Sequence, residues 1–116
     1  MYGNAQVYDE ASIGDTAKVY GNAQVYDEAS IEGTARVYDE ASIGGTAQVY
    51  DNTQVYGSSK VYDTAVILES AEVYGHAEVY GKAPIRGTAE VYGNARVYGT
   101  AWVDGNASII DNADEY

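Results

Sequence analysis

A six-residue period runs through the whole chain without a change of frame. In every hexad after the first, the leading residue is Val or Ile, from Val7 to Ile109. The fifth position is Ala in seventeen of nineteen hexads, the exceptions being Thr53 and Ser59, and the third position is Gly or Asp everywhere except Glu69. A period this strict indicates a solenoid, in which each repeat stacks on its neighbours.

Each hexad predicts one short strand followed by one turn. Words such as "AQVY" and "AEVY" alternate between small or branched residues and polar or aromatic ones, so Ala and Val should share the inner side of a strand. Turn-prone pairs such as "GN" and "DE" follow. Because Gly and Asp tolerate positive φ and Thr at the fourth position resists it, we expect the third residue to be left-handed. Valine every six residues cannot keep to one face of a helix.

The second position of the hexad indicates how many strands make one coil. It is Tyr in twelve hexads, and the exceptions Gly14, Glu32, Leu68 and Arg86 are separated by multiples of 18 residues. Three hexads per coil therefore place these exceptions on one face and leave two faces for tyrosine. The sequence predicts one all-β domain over residues 1–116: a triangular parallel β-helix of about six 18-residue coils without inserted loops.

The hexad frame resembles a known family. The order aliphatic, any, Gly/Asp, Asn/Thr, small, any is similar to the hexapeptide repeat of left-handed parallel β-helix proteins. The tyrosine-rich words "VYGNAQ" at 19–24 and "VYGNAR" at 91–96 resemble a group of bacterial and phage repeat proteins that mostly have no known role. The left-handed sense comes from this resemblance, since general rules for parallel crossovers would give a right-handed coil.

The resemblance also raises one enzymatic activity, acyl transfer. The acyltransferases of this family are trimers with a histidine general base between subunits and a loop that interrupts the coils. Here the one histidine, His76, occupies a turn position, and no insertion breaks the frame between residues 7 and 114. We therefore expect no enzymatic activity and no cofactor. A minimal acyltransferase-like protein is the alternative.

Stacked acidic turns raise the question of a metal. Asp9–Glu10 and Asp27–Glu28 are 18 residues apart, so both pairs should lie at one corner. Clustered carboxylate oxygens suit Ca²⁺. Aspartate also suits turn geometry, and its charge can stay in water. We favour the turn interpretation and predict no metal site.

Two rows of tyrosine are predicted on the outside of the coil. The chain has thirteen Tyr and no Phe, and a buried phenol needs a hydrogen-bond partner, which favours an outward position. The stacked rings could stiffen the short strands, or they could present an aromatic surface to another subunit, a protein or a glycan. The first row comprises Tyr2, Tyr20, Tyr38, Tyr56, Tyr74 and Tyr92, and the second comprises Tyr8, Tyr26, Tyr62, Tyr80 and Tyr98.

The third face becomes apolar toward its end. Its candidate binding or interface residues are Val66, Leu68, Pro84, Arg86 and Trp102, which should lie on adjacent coils. A tryptophan with an arginine at its edge is typical of interface anchors. Three interpretations stay open: a subunit interface, a ligand groove, or tolerated surface variation in a divergent repeat.

Charge and the absence of targeting signals bound the partners. The net charge of −12 argues against nucleic acid and against an anionic membrane surface. The chain contains no run of ~18 apolar residues and no signal-peptide pattern, so we expect a cytoplasmic protein without membrane contact. Exposed strand edges at the ends of a solenoid predict self-association into a limited homo-oligomer.

Together these patterns predict a non-enzymatic structural or binding module. It would be a rigid, self-associating rod that presents tyrosine ladders and an apolar patch to a partner or another subunit. A consensus-like engineered repeat without a natural function is a further alternative, because near-duplicates such as "VYDEAS" recur at residues 7, 25 and 37.

Overall fold

A computed structural model describes residues 4–99, Val103 and the backbone of two later strands, Ser108–Ile109 and Asp114–Glu115. Within this described part every regular element is a two-residue strand, formed by the sixth residue of a hexad and the following Val or Ile. No helix in these residues is long and apolar enough to cross a membrane. Tyr2 and Trp102, both named as candidate binding residues, lie outside the described residues.

The strands form three parallel sheets, one on each side of a triangular coil. Sheet A contains Gln6–Val7, Gln24–Val25, Ser42–Ile43, Lys60–Val61, Glu78–Val79, Arg96–Val97 and Asp114–Glu115. Sheet B contains Ser12–Ile13, Ser30–Ile31, Gln48–Val49, Val66–Ile67 and Pro84–Ile85, and Ile85 also bridges to Val103. Sheet C contains Lys18–Val19, Arg36–Val37, Gln54–Val55, Glu72–Val73, Glu90–Val91 and Ser108–Ile109.

The pairing register confirms the 18-residue coil. Gln6 pairs with Gln24 in sheet A, and Arg36 pairs with Gln54 in sheet C, each 18 residues further along the chain. Successive coils are joined by backbone hydrogen bonds, such as the 3.0 Å bond that the Tyr38 N–H donates to the next coil. Residues 4–99 make about five such coils, without an inserted loop. The left-handed sense stays a prediction from the resemblance.

The core is a column of small and branched side chains along the axis. Val or Ile at the first position and Ala at the fifth are fully buried from Val19 to Val97, which confirms the predicted inner side of each strand. The two exceptions to Ala, Thr53 and Ser59, are fully buried as well. Their hydroxyls donate to the carbonyls three residues earlier at 3.1 and 2.9 Å, so neither leaves a polar atom without a partner.

The corners are made by left-handed residues at the third position, as the sequence predicts. Asp39, for example, has φ of 61°. Its Oδ2 accepts the backbone N–H of Gly57 in the next coil at 3.2 Å. The same contact occurs at Asp9, Asp15, Asp27, Asp51 and Asp63. Aspartate therefore satisfies a corner N–H that the backbone ladder does not use.

Candidate functional site

The tyrosines of sheet C form a continuous stack, which we call the C ladder. Its described members are Tyr20, Tyr38, Tyr56, Tyr74 and Tyr92. Neighbouring ring centroids are 4.9–5.0 Å apart and neighbouring rings are parallel within 4°. The rings are half-buried. Because this spacing matches that of paired strands, the fold itself sets the stacking distance.

The hydroxyls of the C ladder lean across to the sixth-position side chains of the following coil. Each phenol donates a hydrogen bond to a side chain 16 residues further along. These bonds join Tyr38 to Gln54 at 3.3 Å, Tyr56 to Glu72 at 3.4 Å and Tyr74 to Glu90 at 3.2 Å. The aromatic stack and the neighbouring polar row therefore form one joined surface. Sequence reasoning missed these bonds, although the recurrent 16-residue spacing was there to be read.

Burial and carboxylates together hold these phenols protonated. Partial burial raises the pKa of Tyr74 to about 12, with the Glu90 charge and its hydrogen bond adding to the effect. The pKa of Tyr56 is also raised, first by burial and then by Glu72. Ionisation would place a phenolate beside a carboxylate, which is unfavourable. At neutral pH the C ladder is therefore an uncharged aromatic surface beside fixed charges.

The tyrosines of sheet A form a second stack, the A ladder, that is interrupted in the middle. It consists of Tyr8, Tyr26, Tyr62, Tyr80 and Tyr98, and Gly44 stands where a further tyrosine would be expected. Tyr26 leans into the gap, since a Cβ built on Gly44 would lie 2.5 Å from its Cε2 atom. The Tyr8–Tyr26 stack is accordingly looser, with centroids 5.5 Å apart and rings tilted by 12°.

A shallow cavity of about 380 Å³ opens beside this interruption. Tyr26 and Tyr62 bound it above and below, and Lys60 and Glu78 reach it from the neighbouring strands. It is the part of the A ladder where two aromatic side chains are accessible without stacking on each other.

The predicted apolar patch is assembled on sheet B as far as the structure describes it. Val66 pairs in register with Pro84, and Leu68 and Arg86 follow directly after these strands. All four side chains are partly exposed. Trp102, the proposed anchor of the patch, lies outside the described residues, so the role of the patch stays a prediction.

The candidate catalytic and metal residues lie at corners. His76 is exposed, and its backbone N–H donates to the carbonyl of Gly93 at 2.8 Å. Asp9 and Asp27 do stack at one corner, and each carboxylate accepts a backbone N–H from the next coil, at 3.4 and 3.1 Å. Over residues 4–99 no group of three or more His, Asp or Glu side chains is arranged to hold a metal ion.

Comparison with known proteins identifies the repeat. A family model described as the YdcK beta solenoid repeat matches residues 89–105. No curated protein and no solved structure matches the chain. The match and the three-sided parallel architecture agree that this is a hexapeptide-type β-solenoid repeat protein bearing tyrosine ladders.

Proposed function

We propose that this hexapeptide-type β-solenoid is a non-enzymatic structural or binding module that associates with copies of itself through its tyrosine faces. The observation that carries the proposal is the C ladder. Five half-buried rings stacked at 4.9–5.0 Å form a flat, rigid aromatic strip along one side of the coil. Aromatic strips of this extent are uncommon on monomers and are typical of interaction surfaces.

Rigidity supports this role. Each ring is held by two ring neighbours and, at Tyr38, Tyr56 and Tyr74, by a hydrogen bond from its hydroxyl. Such side chains lose little conformational entropy on binding, which lowers the cost of association. A second copy of the chain is the proposed partner. A protein or a glycan on either ladder is the alternative partner, and neither nucleic acid nor a membrane fits an acidic chain.

The proposal includes the absence of enzymatic activity. His76 is exposed at a corner and its neighbours along that corner in the adjacent coils are Ser58 and Asn94, so no base or acid partner stands in register with it. The acyltransferase-like alternative would be favoured by saturable transfer from an acyl-CoA that is lost in His76→Ala. The predicted cytoplasmic location stays a prediction.

Sedimentation over a range of protein concentrations tests the proposal. We expect reversible oligomers whose population rises with concentration. Two matched triple variants locate the contact: Tyr38, Tyr56 and Tyr74 to Ser in the C ladder, and Tyr62, Tyr80 and Tyr98 to Ser in the A ladder. Circular dichroism checks that each variant folds. At least one variant should weaken association by roughly tenfold or more. A wild-type chain that is monomeric at every concentration would contradict the proposal.

A further inference from the structure

The sixth-position side chains of sheet C form a row in which the charges are separated by sign. The row, which we call the charged row, consists in register of Lys18, Arg36, Gln54, Glu72 and Glu90. Both cations lie at one end, both carboxylates at the other, and the neutral Gln54 is central. Like charges are therefore direct neighbours within the chain, which disfavours strand pairing.

The other two sheets do not share this arrangement. In sheet A the charged residues Lys60, Glu78 and Arg96 alternate in sign along the stack, so each is beside an opposite charge. In sheet B the corresponding residues are uncharged. They are Ser12, Ser30, Gln48, Val66 and Pro84. Among the described strands, only sheet C leaves like charges beside each other.

Reversing the charged row turns each charge into its opposite. Lys18 and Glu90 are each two coils from Gln54, and Arg36 and Glu72 are each one coil from it. We propose that two copies of the chain associate face to face through sheet C, antiparallel, about a two-fold axis that runs along the strands at Gln54. Lys18 then faces the Glu90 of the second copy and Arg36 faces its Glu72. This inference rests on the self-association proposed above and specifies its surface and geometry.

The same axis brings the two C ladders together. A rotation about the strand direction keeps the charged row opposite a charged row and the C ladder opposite a C ladder. Tyr56 meets its own copy, and Tyr38 meets Tyr74. An isologous contact of this kind is the commonest way for a protein to form a dimer. A rotation about the coil axis would instead place the charged row against tyrosines and leave all four charges unpaired.

The carboxylates of the charged row are held in place before association. Tyr56 and Tyr74 donate hydrogen bonds to Glu72 and Glu90, and both carboxylate side chains are only partly exposed. Lys18 and Arg36 are exposed and long enough to reach across an interface. Fixed acceptors and mobile donors reduce the entropy lost when the ion pairs form.

Overall charge favours this face over the others. The chain carries a net charge of −12, which opposes contact between copies, whereas the charged row sums to zero. Five coils at ~4.8 Å and a width near 20 Å would bury on the order of 1,000 Å² in total. An interface of that size lies at the low end for specific complexes, so we expect a weak dimer that high salt dissociates.

Charge swaps within one chain test the geometry by sedimentation velocity at low ionic strength. Lys18→Glu alone and Glu90→Lys alone each place like charges opposite one another, and each should weaken the dimer by roughly tenfold or more. The double variant K18E/E90K restores opposite charges in the antiparallel pair and should recover wild-type association. The matched control K18E/E72K has the same net charge and the same new attractions within the chain, but it places like charges opposite at both levels. It should stay monomeric.

The outcomes separate this inference from the broader proposal. A wild-type dimer for which K18E/E90K and K18E/E72K associate equally would place the interface on another face and overturn the inference, while self-association would stand. A wild-type monomer would overturn both. Thermal unfolding of each variant confirms that a loss of association does not come from a loss of folding, since all substituted side chains lie outside the core.

Discussion

At the scale of single residues, the third position of the hexad does two things at once. Its residue takes a left-handed conformation, which Gly and Asp tolerate better than other residues. Where it is Asp, the side chain also accepts the N–H of the corresponding residue one coil further on, as Asp39 does for Gly57. Conformation explains why Gly and Asp share the position, and the hydrogen bond explains what Asp adds.

Three substitutions at Asp39 separate these two contributions. Asn keeps both the left-handed tolerance and an oxygen acceptor, so we expect a change within about 0.5 kcal/mol. Gly keeps only the conformation and should cost about 1 kcal/mol, the contribution of one exposed hydrogen bond. Ala loses both and should cost about 2 kcal/mol. Urea unfolding measures the order. Equal losses for Ala and Gly would show that the conformation is not a source of stability here.

The raised pKa of Tyr74, about 12, makes stability depend on pH in the alkaline range. The unfolded chain ionises its tyrosines near pH 10, before the folded chain ionises Tyr74. The stabilisation is therefore complete below pH 10 and is lost as the pH rises toward 12. We expect the urea midpoint to fall over that range.

Replacing the neighbouring carboxylate should shift this dependence. Glu90→Gln removes the charge beside the Tyr74 hydroxyl and should lower the pKa of Tyr74, measured from the ring carbon signals of isotope-labelled tyrosine. Glu10→Gln, at an exposed corner, is the control and should leave that pKa unchanged. An equal pKa of Tyr74 in Glu90→Gln and the wild type would show that burial alone raises it.

At the scale of elements, the tyrosine ladders extend the sheets outward. A two-residue strand makes few contacts of its own, and a ring stacked at 4.9 Å on each side adds contacts to every coil. Such aromatic neighbours contribute roughly 0.2–1 kcal/mol each. The A ladder lacks this at Gly44, where Tyr26 fills part of the gap.

Completing the A ladder should stabilise the protein. Gly44→Tyr would add stacked contacts with Tyr26 and Tyr62 once Tyr26 returns to its place, and the φ of Gly44 is not in the left-handed region. We expect a gain of about 1 kcal/mol in the free energy of unfolding. Gly14→Tyr is the control, because its site on sheet B is open but its neighbour there is Glu32. A gain as large at Gly14 would show that stacking is not the cause.

The sequence predicts the inner face of this fold better than its outer face. The valine and alanine positions repeat every six residues, so any three hexads reveal the core and the 18-residue register follows from Leu68 and Arg86. The lean of Tyr26 over Gly44 could not be predicted, because a side-chain rotamer depends on neighbours one and two coils away. The same holds for the carboxylate contacts of Tyr56 and Tyr74, and for the corner contacts of the aspartates.

At the scale of the whole molecule, two periods coexist. The core repeats every six residues, since every sheet presents the same Val and Ala positions to the axis. The surface repeats every 18 residues, since each ladder and the charged row belong to one sheet. A deletion of six residues would therefore preserve the core and move all later surface residues one face onward, whereas a deletion of 18 residues would preserve both.

Deletions that share one junction test this separation. Removing residues 55–72 or 55–60 joins Gln54 to a Val-Tyr pair, so both products keep the local sequence "TQVY". Both should unfold in a single transition, because stacked coils support one another through the core. Removing 55–72 takes out 18 of 116 residues and should lower the urea m-value by about one sixth, since the m-value follows the surface exposed on unfolding. Removing 55–57 instead places Ser58 in an inward valine position and shifts every later residue by half a hexad, so it should abolish the transition. If the six-residue deletion also failed to fold, the outer ladders rather than the core would determine which coils can stack.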